Sequence, residues 1–597
     1  MSSVPERSEI DDEYKWDLES IYATDDEWEQ SYEDAQQRLE ELAAYEGRAT
    51  EDGETLLEVL ELRDELLRQV EMVVNYARMR KDENTADQQY QALSSRAMAL
   101  GSQLDSASSF LEPEIQDLDR DELDAMIEAT DGLETYDHYL HDVLRVADHT
   151  RSSEVENVLA ELGEVTRASD DIYNMLMNSD VEFPTVEKPD GESVEITQSN
   201  LTTLLKNPDR EFRQTVYESF FGTLGNFHNT IGTAFEKTVK SDVKLARIHD
   251  YDTAREAALD GPNVPAEVYD NLVGTVRDNL DKLHRHAELK RKSLGVEELR
   301  MWDLYMPMTE TETPDVEYEQ AREYVVEALG ALGDDYQNRV QEGLDSRWVD
   351  VYETENKRSG AYSSGTYDTQ PFILMNWQDD ISSMFTLAHE LGHSLHSQLA
   401  DETQPYVYSN YEIFVAEVAS TVNEALLTRH LLDTVEDPEF RRHVLNEYLE
   451  RFRSTLYRQT LFADFEHQTH ELVEEGEALT PEAADEIYGD LKSEFYEPAV
   501  MDDHIAREWA RIPHFFNYTY YVYQYSTGIS AAVALADEIL ESDGEVADDY
   551  LEFLRSGSRE YPLELLETAG VDMSSPDPIQ RALDVYDDHL DEMEELV

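Results

Sequence analysis

Apolar residues recur at every third or fourth position along most of this chain of 597 residues, the spacing of one buried face of an α-helix. The run LLEVLELRDELLRQVEMVVNYARM (56–79) is representative. Through the first 180 residues or so such runs follow one another, with breaks near Gly47, Gly53, Pro113 and Gly132. The period changes in VEFPTVEKPDGESVEITQSN (181–200). There two short β-leaning runs flank Lys188, Pro189, Asp190 and Gly191, which predicts a hairpin. Helical spacing resumes over 209–248 and again, as one long helix, over about 265–294. A second irregular region covers 356–380. Gly360, Gly365 and several serines make a loop there, and Phe372, Ile373, Leu374 and Met375 suit a strand. The pattern predicts a mostly α protein with a few short strands.

After that strand, Asp379 or Asp380 can cap a helix over about 380–399. Its apolar stripe is Ile381, Met384, Phe385, Ala388, Leu391, Leu395 and Leu399. His389, His393 and His396 share an arc of about 60° at the border of that stripe. His389 and His393 stand one turn apart, so two imidazoles can converge on one ion. Glu390 is placed to reach a metal-bound water instead of the metal. This is the H-E-x-x-H arrangement of zinc peptidases. The plainer reading is a helix with partly buried, hydrogen-bonded histidines; the preceding strand, the apolar stripe and a third-ligand candidate downstream favour the metal. Leu399 stands where a metzincin needs a histidine, so that class is excluded. A glutamate on a later helix is the other solution. In YEIFVAEVASTVNEALLTRHLL (411–432), Phe414, Val418, Val422 and Ala425 point inward and Glu412 points away. Glu417 and Glu424 both lie on the edge, two turns apart, and spacing does not choose between them.

Charge narrows the partners. There are 134 acidic against 47 basic residues, a formal net charge of -87. Such a surface repels nucleic acid and anionic membranes. Disorder, the usual companion of high charge, is argued against by 34 tyrosines and 40% apolar residues. Carboxylates spread along the whole chain suit a halophilic protein from a very salty cytoplasm, where salt screens their repulsion. With no cysteine, disulfides are excluded and a metal must be held by His, Asp or Glu. The first residues lack the basic-then-apolar order of a secretory signal. No apolar run approaches the roughly 20 residues needed to cross a bilayer. The expectation is a soluble, cytoplasmic protein.

HELGHSLH followed by FVAEVASTVNE resembles the thimet-type oligopeptidase family, and within it the oligoendopeptidase F branch. KWDLESIY, WDLYMPM, KRSGAYSSGTYDTQPFILMNW, FADFEHQTHEL and WARIPHFFNYTYYVYQYSTGISAA extend the resemblance over essentially the whole chain. It implies an N-terminal helical region (1–115), an oligoendopeptidase F N-terminal-type helical region ending in the hairpin (116–200) and a zinc metallopeptidase domain (201–597). The implied fold is two helical lobes around a deep channel that admits short unfolded peptides. The implied ligands of a single zinc ion are His389, His393 and Glu417, with Glu424 orienting a ligand histidine. His514 and tyrosines of the following segment would stabilise the oxyanion. Matching the Tyr-Tyr-x-Tyr run puts Tyr523 at the main tyrosine position and Tyr518, less closely, at the other. Read without the family, Tyr518, Tyr521 and Tyr525 share a helical face, whereas Tyr521, Tyr523 and Tyr525 share a strand face. The strand 372–375 is expected to offer an edge to the peptide, and Gly360, Gly365 and Tyr521 to contact it. The competing readings are a helical zinc metallocarboxypeptidase and a non-enzymatic metal- or peptide-binding protein.

Overall fold

A computed structural model describes residues 4–309, 313–542 and 544–597. It is mostly α-helical with a few short strands. The chain forms two compact units, each assembled from separated stretches. One comprises Met1–Asp148, Thr313–Thr434 and Leu535–Val571, and the other His149–Glu312, Val435–Ala534 and Asp572–Val597.

In the first unit, the helices Asp25–Ala43, Gly53–Glu83 and Gln88–Ser108 pack together. The middle one starts sharply because the Asp52 side chain accepts the Thr55 N–H at 2.8 Å, satisfying a donor that the helix itself cannot. Trp28 is fully buried and donates its indole N–H to the Val73 carbonyl at 2.9 Å. This core continues onto one face of a three-stranded sheet through Phe372 and Leu374. The sheet order is Val349–Tyr352, Phe372–Trp377, Tyr362–Ser364, the first pair parallel and the second antiparallel.

Two expectations change here. The strand at 372–375 is central, paired on both sides, so it offers no edge. The edges belong to Val349–Tyr352 and to Tyr362–Ser364, the latter inside the stretch expected to be a loop between Gly360 and Gly365. That stretch is also tied down: Asn376 Nδ2 donates to the carbonyls of Arg358 at 2.9 Å and Gly360 at 2.8 Å.

In the second unit, the expected hairpin forms between Thr185–Glu187 and Ser193–Glu195, with Gly191 at φ 89° supplying the left-handed turn residue. The spacing over 209–248 resolves into Arg210–Gly225 and His228–Ile248. The single helix expected over 265–294 is two, Ala266–Asp278 and Leu280–Ser293. Asn279 leaves helical geometry at φ -116°, ψ 23°, and its side-chain amide donates to the Thr275 carbonyl at 2.9 Å. That local bond competes with continuation of the backbone ladder. The buried carboxylate of Glu508 in this unit is paired: it accepts from Lys492 at 2.7 Å, Tyr488 at 2.8 Å and Arg458 at 2.8 Å.

Candidate metal centre

The helix Ile381–Thr403 begins where the Asp380 carboxylate accepts the Ser383 N–H at 2.7 Å. The next long helix, Ile413–Thr434, packs directly against it. The crossing is close because position 392 has no side chain. A Cβ there would lie 2.5 Å from Ser420 Cα and 2.6 Å from the Ala419 carbonyl oxygen.

This approach places Glu417 against the two histidines. Its Oε2 lies 3.5 Å from His389 Nε2 and 3.7 Å from His393 Nε2, while the two Nε2 atoms are 3.2 Å apart. Glu424 reaches the opposite side of His389, with Oε1 2.7 Å from Nδ1. The two glutamates left equivalent by spacing therefore stand in different places. Burial lowers the basicity of His389, but the Glu424 hydrogen bond and charge outweigh it and raise the pKa. His393 makes a backbone hydrogen bond to Ala416. The Ser420 hydroxyl holds Glu417, donating to its Oε2 at 3.1 Å.

One atom from each of His389, His393 and Glu417 falls within 4.8 Å of the others. Two imidazoles and a carboxylate suit zinc, and three protein ligands leave a coordination position open, as hydrolytic sites require. Glu390 is buried beside them, and burial raises its pKa to about 7. A backbone hydrogen bond from Ser363, on the edge strand, opposes that shift, and a nearby cation would lower it further. His396 is turned away from this cluster. It is buried, stacks on Tyr411 with ring centroids 3.6 Å apart, and burial lowers its pKa to about 3.

Gly360 and Gly365 belong to the first unit, and His514 and the predicted tyrosines to the second. His514 opens the short helix His514–Asn517. Tyr518, Tyr521 and Tyr525 surround its ring with centroids 6.2, 6.1 and 6.1 Å away. Tyr518 is 58% exposed, whereas Tyr523 is 1% exposed and packs on Tyr269 at 5.2 Å.

Between them Tyr520 has φ 50°, a left-handed conformation rare for an aromatic residue. Its N–H is held by Glu466 Oε1 at 2.8 Å. Glu466 was not legible as functional, since a glutamate in FADFEHQTHEL gives no hint of a partner 54 residues away. We expect Glu466→Leu, which leaves this buried amide without an acceptor, to cost about 1–3 kcal/mol in urea unfolding. Glu466→Gln, which keeps an acceptor oxygen, should recover most of it. Equal losses in the two variants would remove the anchoring role.

Comparisons with known proteins show the family. A family model described as peptidase family M3 matches residues 203–585, and one described as oligopeptidase F matches 114–183. The chain belongs to peptidase family M3. It is 42% identical to the oligopeptidase PepF of Bacillus subtilis, over 100% of this chain and 89% of the relative. It is 39% identical to the group B oligopeptidase PepB of Streptococcus agalactiae, over 99% and 98%. The crystal structure of oligoendopeptidase-F from Enterococcus faecium matches with a TM-score of 0.74 at 36% identity, covering 96% of this chain and 99% of that one. The M3 chain described here is thus a metalloendopeptidase, a hydrolase of peptide bonds. M3 is a family of zinc metallopeptidases, and this member carries a His-His-Glu candidate site. Among the described residues no helix is long and apolar enough to cross a membrane.

Proposed function

We infer that this protein is a zinc-dependent oligoendopeptidase that hydrolyses internal bonds of short unfolded peptides, with the catalytic machinery in 201–597. The observation that carries the reading is the convergence of His389, His393 and Glu417 beside the buried carboxylate of Glu390. His389, His393 and Glu417 would hold one zinc ion, with Glu424 fixing the His389 ring. Bound there, zinc would supply Lewis acidity that acidifies water and polarises a carbonyl. The Glu390 carboxylate takes a proton from the attacking water and returns it to the leaving amine. His514 and the exposed Tyr518 donate hydrogen bonds to the carbonyl oxygen as it gains charge, and Tyr523, buried against Tyr269, joins them only once it is uncovered. Among the described residues the strand Tyr362–Ser364 is paired on one side only, and its open edge receives the substrate backbone as an added strand. Gly360, Gly365 and Tyr521 contact the peptide in this reading. The acidic composition supports a halophilic, cytoplasmic setting.

An acetylated and amidated decapeptide tests the reading in high salt. We expect internal cleavage, visible as two fragments by mass spectrometry, that a chelator abolishes and added zinc restores. A carboxypeptidase would leave this peptide whole while trimming an unblocked copy. Cleavage that survives chelation would refute the metal's part.

A further inference from the structure

Within the second unit, a cleft of about 1080 Å³ runs beside the helix His228–Ile248. Its lining includes Lys237, Lys240, Lys244 and Arg247 and not one carboxylate. In a chain with 134 acidic and 47 basic residues that composition is inverted. Another cleft, of about 790 Å³, follows the chain average instead, with Glu211, Glu218, Glu297, Glu298 and Asp502 on its wall.

The four cations sit at i, i+3, i+7 and i+10, so they form one row along one face. Little acid neutralises them. Glu236 serves both Lys237, at 3.0 Å, and Lys240. Arg247 donates to the Glu474 backbone carbonyl at 2.9 Å. Lys244 is exposed and has no ion pair among the described residues.

The same cleft also carries apolar side chains. Val165 and Ile172 line the cleft, and they are 68% and 54% exposed. Of the thirteen exposed large apolar residues among those described, six fall within 155–175. Val165 and Ile172 are the two of that group on the cleft, so it offers exposed apolar side chains beside its cations.

We propose that this cleft binds an extended segment of the peptide substrate in which acidic residues alternate with aliphatic ones. The dimensions select that pattern. The cationic row is about 15 Å long at helical rise, the span of about five extended residues. Alternate side chains of an extended strand leave on opposite edges. One edge then presents carboxylates to the lysine row and the other presents aliphatic groups to Val165 and Ile172. A nucleic acid would find the cations but make no use of Val165 and Ile172. The proposal rests on the peptidase reading for the identity of its occupant, and it adds a preference for acidic-aliphatic peptides.

The test separates the two. Binding of a fluorescein-labelled, end-blocked decapeptide alternating Glu with Leu and Val is measured by anisotropy on the full-length Glu390→Gln chain. The same measurement follows with Lys237→Gln, Lys240→Gln and Lys244→Gln added together. All three side chains are on the surface, so the fold should persist, which circular dichroism checks. Loss of three charges is expected to weaken binding by about tenfold at low salt, with the difference shrinking as salt rises. Val165→Ser with Ile172→Ser should also weaken it. A Gln-for-Glu version of the peptide should be indifferent to the lysines. Unchanged affinity in the lysine variant would overturn the proposal. So would equal binding of a peptide of the same composition with its glutamates in one block, or displacement by an equal concentration of a single-stranded RNA decamer. Lysine-dependent binding of this peptide, with wild type failing to cut the blocked decapeptide of the cleavage test as well, would keep the cleft and sink the oligoendopeptidase reading.

Discussion

Replacing Glu390 by Gln is expected to lower kcat for the blocked decapeptide by about 10²- to 10⁴-fold, the range lost with a positioned general base. KM should change little, and the zinc content should stay at one ion per chain. The reason is geometric. Glu390 is on the same helix as His389 and His393 but is not among the residues whose donor atoms converge, so removing its charge leaves the ligand set intact. The amide keeps the size of the carboxylate and an acceptor for the Ser363 backbone hydrogen bond, so the helix should stay in place. What it loses is the ability to accept a proton from water. Atomic absorption and steady-state kinetics on the same preparation decide the matter. A variant that has lost its zinc would make Glu390 part of the ligand set. One that cuts at the wild-type rate would require another base.

Gly392→Ala is expected to damage the protein by a different route. The added Cβ meets backbone atoms of Ser420 and Ala419 at 2.5 to 2.7 Å, and backbone cannot rotate out of the way as a long side chain can. The two helices must separate. Overpacking of this kind typically costs about 1–3 kcal/mol. Separation also carries Glu417 and Glu424 away from His389, so zinc affinity should fall by about tenfold or more. Gly101→Ala is the control. It lies inside the helix Gln88–Ser108 with nothing within 4 Å of the new carbon, and should stabilise by about 0.5–1 kcal/mol through helix propensity alone. Thermal denaturation with and without zinc, followed by competition with a chromophoric chelator, measures both effects. If Gly392→Ala binds zinc like wild type, the close crossing does not set the site.

The contrast between these two glycines shows how far the sequence reaches. Both are glycines in helical runs, and nothing in the local pattern tells them apart. The one at 392 is constrained by a residue 28 positions away. Tyr520 and Glu466 make the same point. A left-handed tyrosine has no sequence signal, because local preference disfavours it and a distant buried acceptor accompanies it. The strand at 372–375 was visible as an apolar run, but its central place was not. Pairing partners are set by the path of the chain, and an apolar run suits a central strand as well as an edge.

By itself the sequence determined what the backbone period and short-range chemistry control. These are the mostly helical class, the hairpin at Gly191, the cap at Asp380 and the one-turn separation of His389 and His393 with Glu390 beside them. Each depends on residues within a few positions, where 3.6 residues per turn and a side-chain cap leave little choice. Spacing left Glu417 and Glu424 equivalent, and only the family resemblance chose between them. Tertiary structure supplies the physical reason that Glu417 faces both Nε2 atoms and Glu424 holds Nδ1 of His389. Two residues two turns apart on one helix have nearly the same azimuth, so only the height at which a second helix crosses can separate them. Here that height is set where Gly392 meets Ser420.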